Sequence, residues 1–272
     1  MKNQLEKLAI IGGGTIGISI AIPLHQNGYK VTVTRRNIEK IRELKDYGIK
    51  VSNDNAEAVE KSDIIIFALK PYDIIPEMEK LNKLLEGKIV ISMAAAISLS
   101  QMNEILKKSY LVRAMTNIAA KVSSGFTPFS VLVKDEKIIG KVESVLKSFG
   151  ETQLVEERYM DALTALSGSG PAYILTIIEA MMYGGLKVGL PRDLALKASY
   201  QTVLGSAKLL AESTEHPSVI KEKVITPGGV TIEGIFELED LRLRTAIMRA
   251  IESSTKKSNE ISKAIEEKIR KK

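Results

Sequence analysis

Leu8-Ala9-Ile10-Ile11-Gly12-Gly13-Gly14-Thr15-Ile16-Gly17 is the stretch that decides the fold. An apolar run ends in glycines, and Ile16, Ile20 and Leu24 then recur at helical spacing. A strand that turns sharply into a helix reads this way. The alternation continues outward. Val31–Thr34, Ile64–Leu69, Ile89–Ser92 and Tyr110–Met115 read as strands. Between them, 15–27, 37–47 (Ile38, Ile41 and Leu44 on one face) and a segment opened by Pro71 read as helices. Strands apolar on both faces, separated by amphipathic helices, predict a parallel sheet covered on both sides, a doubly wound α/β domain. The pattern weakens after residue 120, with strands at Phe126–Val133 and Thr152–Val155 and a helix over 136–149. Beyond Arg158 no strand is read. Helices are expected over 159–188, 192–213 and 230–268, with breaks at Pro171, Gly189–Pro191, Pro217 and Pro227–Gly229. The expected organisation is a Rossmann-like domain over 1–157 and an all-α domain over 158–272.

A chain of 272 residues suits two cores better than one. Its 44% hydrophobic and 26% charged residues are those of an ordinary globular protein, not a disordered one. No apolar stretch reaches the roughly 18 residues that span a bilayer. Glu6 interrupts the place where an export signal would be apolar, so a cytoplasmic protein is expected. Cysteine is absent and the only histidines are His25 and His216, which excludes thiol chemistry, cysteine-bound zinc and multi-histidine metal sites. His25 is expected on a helix surface and His216 in a turn or at a helix end. The net charge is 39 − 33 = +6, with Lys256, Lys257, Lys268, Arg270, Lys271 and Lys272 making a basic end. Such a run fits a solvated helix terminus. Without tryptophan and with 5% aromatics, no base-stacking platform appears, and an anionic small molecule is the expected target rather than nucleic acid.

Gly12-x-Gly14-x-x-Gly17 follows a strand and opens a helix, the context in which G-x-G-x-x-G binds a dinucleotide. Gly12 permits the turn, Gly14 lets backbone approach a pyrophosphate, and Gly17 lets helix pack on strand. A ligand-free tight turn is the alternative. After the second strand, an enzyme of the NADH type would carry an acid for the ribose hydroxyls. This chain has Thr34-Arg35-Arg36-Asn37, with no acid before Glu39. Two guanidinium groups suit a 2′-phosphate, which favours NADPH, with NADH possible. Both arginines also read as ordinary surface charges.

Two motifs remain in the second half. Leu166-Ser167-Gly168-Ser169-Gly170-Pro171-Ala172-Tyr173 permits close backbone approach, or is a bent helix junction in which Ser169 or Gly170 caps a helix opened by Pro171. Thr226-Pro227-Gly228-Gly229-Val230-Thr231 puts a glycine turn before a helix, where free amides gather around an anion, or merely connects two helices. With Ala68-Leu-Lys-Pro71, Ser92-Met-Ala-Ala-Ala96, Arg113-Ala-Met-Thr-Asn117 and Gly184–Arg192, these motifs give a chain that resembles the pyrroline-5-carboxylate reductase family along nearly its whole length.

The resemblance implies an NAD(P)H-dependent oxidoreductase of the last step of proline synthesis, with a helical domain that interlocks with a second subunit in a homodimer or larger assembly. It implies that Gly12, Gly14, Thr15 and Gly17 cradle the pyrophosphate. Arg35 and Arg36 would meet the 2′-phosphate and Asn55 the adenosine. Ala68, Lys70, Ala94 and Ala95 would form the wall leading to the nicotinamide. Thr226, Gly228 and Gly229 would hold the substrate carboxylate, and Thr231 would face the ring nitrogen. No metal is implied. Ile118-Ala119-Ala120 departs from the Thr-Pro-like continuation expected after Asn117. Two other activities fit the cofactor loop: reduction of another small imine or β-hydroxyacid, and NADPH sensing without turnover.

Overall fold

The computed structural model describes residues 6–270, with side chains through residue 267. Residues 1–5, the start of the stretch read for an export signal, lie outside the described residues. So do Lys271 and Lys272 of the basic end and the side chains of Lys268 and Arg270. The chain forms two compact units, one running to residue 169 and resuming at 253, the other spanning 170–252.

The first unit contains β1 (Lys7–Ile11), α1 (Thr15–Gln26), β2 (Lys30–Thr34), β3 (Lys50–Ser52), α2 (Asn55–Glu60), β4 (Ile64–Phe67), α3 (Pro71–Leu85), β5 (Ile89–Ser92), α4 (Leu99–Ile105), β6 (Tyr110–Ala114), β7 (Gly125–Val131), α5 (Glu136–Lys147), β8 (Gly150–Leu154) and the short α6 (Met160–Leu163). The strands form one sheet in the order β3-β2-β1-β4-β5-β6-β7-β8. Alternate residues feed two cores. Leu8 and Ile10 of β1 and Ile64 and Ile66 of β4 join the first, while Ala9, Ile11, Ile65 and Phe67 join the second. Every one of these eight is at most 1% exposed, which explains strands without polar alternation.

The structure departs from the sequence reading at several points. β7 runs antiparallel to β6, although the other pairings are parallel. The link between them holds one 3₁₀ turn, Ile118–Val122, and is too short for the crossover that a parallel pair requires. Residues Ile38–Tyr47, expected as an α-helix, wind as 3₁₀ turns between an Asn37 cap and the left-handed Gly48. The expected helix over 230–268 breaks at Leu241–Arg242, where Arg242 takes φ 56° without a glycine or proline to announce it.

The compact units divide at Ser169/Gly170, and the residues just before that point pack on the sheet. Arg113 of β6, 4% exposed, pairs with Asp161 at 2.8 Å and Glu157 at 3.4 Å. Glu157 also accepts the Leu99 amide (2.7 Å) at the start of α4. The second unit holds α7 (Gly170–Lys187), α8 (Arg192–Glu212), α9 (Pro217–Glu222) and α10 (Val230–Asp240). It also holds the start of α11 (Leu243–Arg270), whose remainder returns to the sheet unit. There Ser258 donates to Asp161 (2.9 Å), and Ile265 is buried in the second core.

Candidate active site

Strand order reverses between β1 and β4, and ligands bind outside the strand ends at such a point. Here the Ala68 amide donates to Ile11 O (2.9 Å), tying the two strand ends together. A cleft of about 500 Å³ opens above them. Gly12, Gly14, Arg35, Arg36, Asn55, Ala68 and Lys70 all line it, so most of the expected cofactor residues meet in one place. Each glycine has its own reason. Gly12 sits at φ +112°, and a Cβ there would lie 2.6 Å from Ala68 O. A Cβ on Gly17 would lie 2.1 Å from Gly12 O. Gly14 faces open space.

The amides divide their work. Thr34 O accepts from both Gly12 N (3.2 Å) and Gly13 N (2.7 Å), so those two shape the loop. Helix α1 has no side-chain cap, which leaves its first-turn amides, starting at Thr15, without intrahelical acceptors. A flat backbone approach at Gly14, an uncapped helix start and a cationic rim together fit a dinucleotide pyrophosphate. No group of three or more His, Cys, Asp or Glu positioned for a metal ion occurs among the described residues.

Other lining residues escaped the sequence reading. Asp73, Glu77 and Lys80 continue from the expected Lys70 as a polar stripe along α3, opposite buried Ile74, Ile75, Met78 and Leu81. The three- and four-residue spacing from Pro71 onward carried that signal. Glu77 accepts from Asn55 Nδ2 (2.9 Å), fixing the amide at the start of α2. Lys40, four residues after Arg36, also lines the cleft.

Ala94 and Ala95 do not border that cleft; they follow β5, where the Met93 amide donates to Phe67 O. The next residue, Ala96, is buried in a left-handed backbone conformation at φ 66°. That conformation costs an L-residue roughly 1–2 kcal/mol. At the departure from the family pattern, Asn117 Oδ1 accepts from Ala119 N (3.0 Å), and its Nδ2 donates to Ser167 O (2.9 Å). Ser167 lies in a π turn, Thr164–Gly168, so the small-residue motif is a bent junction running into α7. The Ser169 amide donates back to Thr164 O (3.0 Å).

In the second unit Thr226, Gly228, Gly229 and Thr231 come together. The Gly229 amide donates to Thr226 O (3.0 Å), closing a turn with Pro227 and left-handed Gly228 (φ +65°) at its centre. This is type II chemistry. A Cβ on Gly229 would lie 2.2 Å from Thr226 Oγ. The Gly229 amide is thus spent on the turn, and the amides free for an anion are those that open α10 at Val230 and Thr231. Thr231 sits in that first turn. His216 caps α9, accepting from Ser218 N (3.3 Å). His25 lies half-buried in the last turn of α1, its ring close to Gly48, and not on an open helix surface.

Comparison with known proteins places these motifs. A family model described as pyrroline-5-carboxylate reductase dimerisation matches residues 157–261, and one described as NADP oxidoreductase, coenzyme F420-dependent, matches 7–96. Pyrroline-5-carboxylate reductase of Arabidopsis thaliana is 35% identical over 95% of this chain and 96% of its own. That of Methanosarcina acetivorans is 38% identical over 97% and 100%. The crystal structure of Plasmodium falciparum pyrroline carboxylate reductase with NADP bound superposes with a TM-score of 0.87 at 25% identity, covering 96% of this chain and 99% of that one. With relatives 35% and 38% identical over nearly the whole of both chains, the chain belongs to the pyrroline-5-carboxylate reductase family.

Proposed function

We infer that the protein reduces 1-pyrroline-5-carboxylate, a five-membered cyclic imine, to L-proline with NAD(P)H, preferring NADPH. One observation carries the reading. A single chain pairs a dinucleotide cleft whose β2 end bears arginines and no acid with a Thr-Pro-Gly-Gly turn that opens an uncapped helix. When bound, NAD(P)H supplies the hydride that reduces the C=N bond. The rest is the work of the chain. The loop of Gly12, Gly14, Thr15 and Gly17 cradles the pyrophosphate, Asn55 meets the adenosine, and Ala68, Lys70, Ala94 and Ala95 wall the approach to the nicotinamide. The turn of Thr226, Gly228 and Gly229 presents the α10 amides to the substrate carboxylate. Thr231 Oγ accepts a hydrogen bond from the protonated ring nitrogen. Imines take that proton from water, so the site needs no strong acid, and placement of the reactants can account for roughly 7–11 kcal/mol.

The protein works as at least a dimer, a reading supported by the dimerisation match and by apolar side chains on α7, α8 and α10. Among these Leu175 is 55%, Leu204 59% and Phe236 74% exposed in the single chain. No helix among the described residues is long and apolar enough to cross a membrane. The reading places the enzyme in the cytoplasm.

Thr231→Val tests the site. Valine keeps the β-branched shape and removes the oxygen. A hydrogen bond to a charged partner contributes about 1.5–3 kcal/mol, so kcat/KM for the imine should fall roughly ten- to a hundredfold, with NADPH affinity kept. A variant that melts earlier yet turns over normally would make Thr231 a structural residue.

A further inference from the structure

The family pattern gives both arginines after β2 one task, but the structure separates them. Arg35 is drawn inward. Its amide donates to Ser52 O (3.0 Å), and its Nη1 donates to Gly13 O at 2.6 Å. Because Thr34 O takes the Gly13 amide, residues 34 and 35 hold both the donor and the acceptor of the middle glycine. A charge-assisted bond of this length is among the stronger kinds, and turning the guanidinium toward a phosphate would leave the Gly13 carbonyl without it.

Arg36 and Lys40 behave differently. Both line the cleft, both are exposed, and neither makes a hydrogen bond or ion pair among the described residues. Asn37 accepts from Glu39 N, fixing the turn between them. Glu39, the acid that could neutralise them, points to Arg42 at 3.6 Å. Across the cleft, Glu77 is taken up by Asn55 and Lys80. At the end of β2 this leaves a pair of uncommitted cations arranged for a dianion, with Asp73 of α3 elsewhere in the cleft lining.

We propose that Arg35 is a positioning residue that sets the pyrophosphate loop for either cofactor, whereas Arg36 and Lys40 read the 2′-phosphate and set the preference for NADPH. The proposal rests on the NAD(P)H reading above and refines which residues carry it.

The test is calorimetric titration of NADPH and of NADH into the full-length protein and into Arg35→Met, Arg36→Met and Lys40→Met, with melting temperatures measured alongside. Arg36→Met and Lys40→Met should each lower the NADPH-to-NADH affinity ratio by about tenfold, the worth of one charge-assisted contact. Arg35→Met should weaken both cofactors by the same factor, about three- to tenfold, and leave the ratio within about twofold. Equal loss of the ratio in Arg35→Met and Arg36→Met would overturn the division, as would an unchanged ratio in the Lys40 and Arg36 variants. If Arg35→Met does not fold, Arg35→Lys serves. It keeps the charge but lacks the planar fork, so a phosphate-binding role would shift the ratio and a positioning role would not. Wild-type protein that binds neither nucleotide would instead overturn the cofactor reading itself, a result distinct from both.

Discussion

The sheet unit and the helical unit fill their interiors in opposite ways. In the sheet unit, side chains on both faces of the central strands β4 and β5 are buried, and Phe67, Phe129 and Phe149 are 0% exposed. In residues 170–252, by contrast, the buried positions are Met182, Ala195 and Ser199. Yet α7 is as apolar as a core helix, with Ile174, Leu175, Ile177, Ile178, Met181 and Met182 in succession. Covering one such side chain contributes about 1.5–3 kcal/mol. The sheet unit therefore builds its cofactor cleft from its own elements, whereas the helices have apolar faces to spare for a second copy. The turn of Thr226, Gly228 and Gly229 lies in the unit that lacks a core of its own.

This contrast can be broken first at Gly17. A methyl there would meet the backbone oxygen of Gly12, which cannot move without opening the loop. Gly17→Ala should cost about 3 kcal/mol or more in urea unfolding and abolish NADPH binding. A variant of normal stability would show that the close packing of α1 on β1 is not needed. The helical side is sharpened by Leu204→Glu on α8. A charge on that exposed position should leave the sheet unit folded and shift sedimentation toward monomer, at a cost to association of about 2 kcal/mol. An unaltered assembly would take this face of α8 out of the interface. The smallest effect is expected at Gly140 in α5, where a methyl meets nothing within 4 Å. Gly140→Ala should stabilise the sheet unit by about 0.5–1 kcal/mol, read from the same urea curves. Destabilisation there would mean the outer face of α5 is covered.

Legibility in the sequence followed the same physics. The long apolar strands and the glycine loop were readable because burial on both faces leaves no polar alternation to confuse them. The edge strand Lys50–Ser52 was not, since three residues carry no period. Two missed helices did carry a local signal. Ser98 and Gln101 form a capping box at α4, and Asp54 accepts from Glu57 N at α2. The reversal of β7 was visible only as a short connection after Asn117. The break at Arg242 had no sign, because a non-glycine residue supplies the left-handed turn. At the site, the residue types were legible and their separate tasks were not. Sequence placed Arg35 and Arg36 side by side, and only the bond to Gly13 O tells them apart.

The most direct test of the account is to mix the purified protein with NADPH and 1-pyrroline-5-carboxylate and follow both nicotinamide absorbance and proline. The account predicts that each NADPH consumed yields one L-proline, with NADH supporting a slower reaction. NADPH that binds the protein but is not consumed when the imine is added would contradict it, and would make the chain a nucleotide-binding protein without this reductase activity.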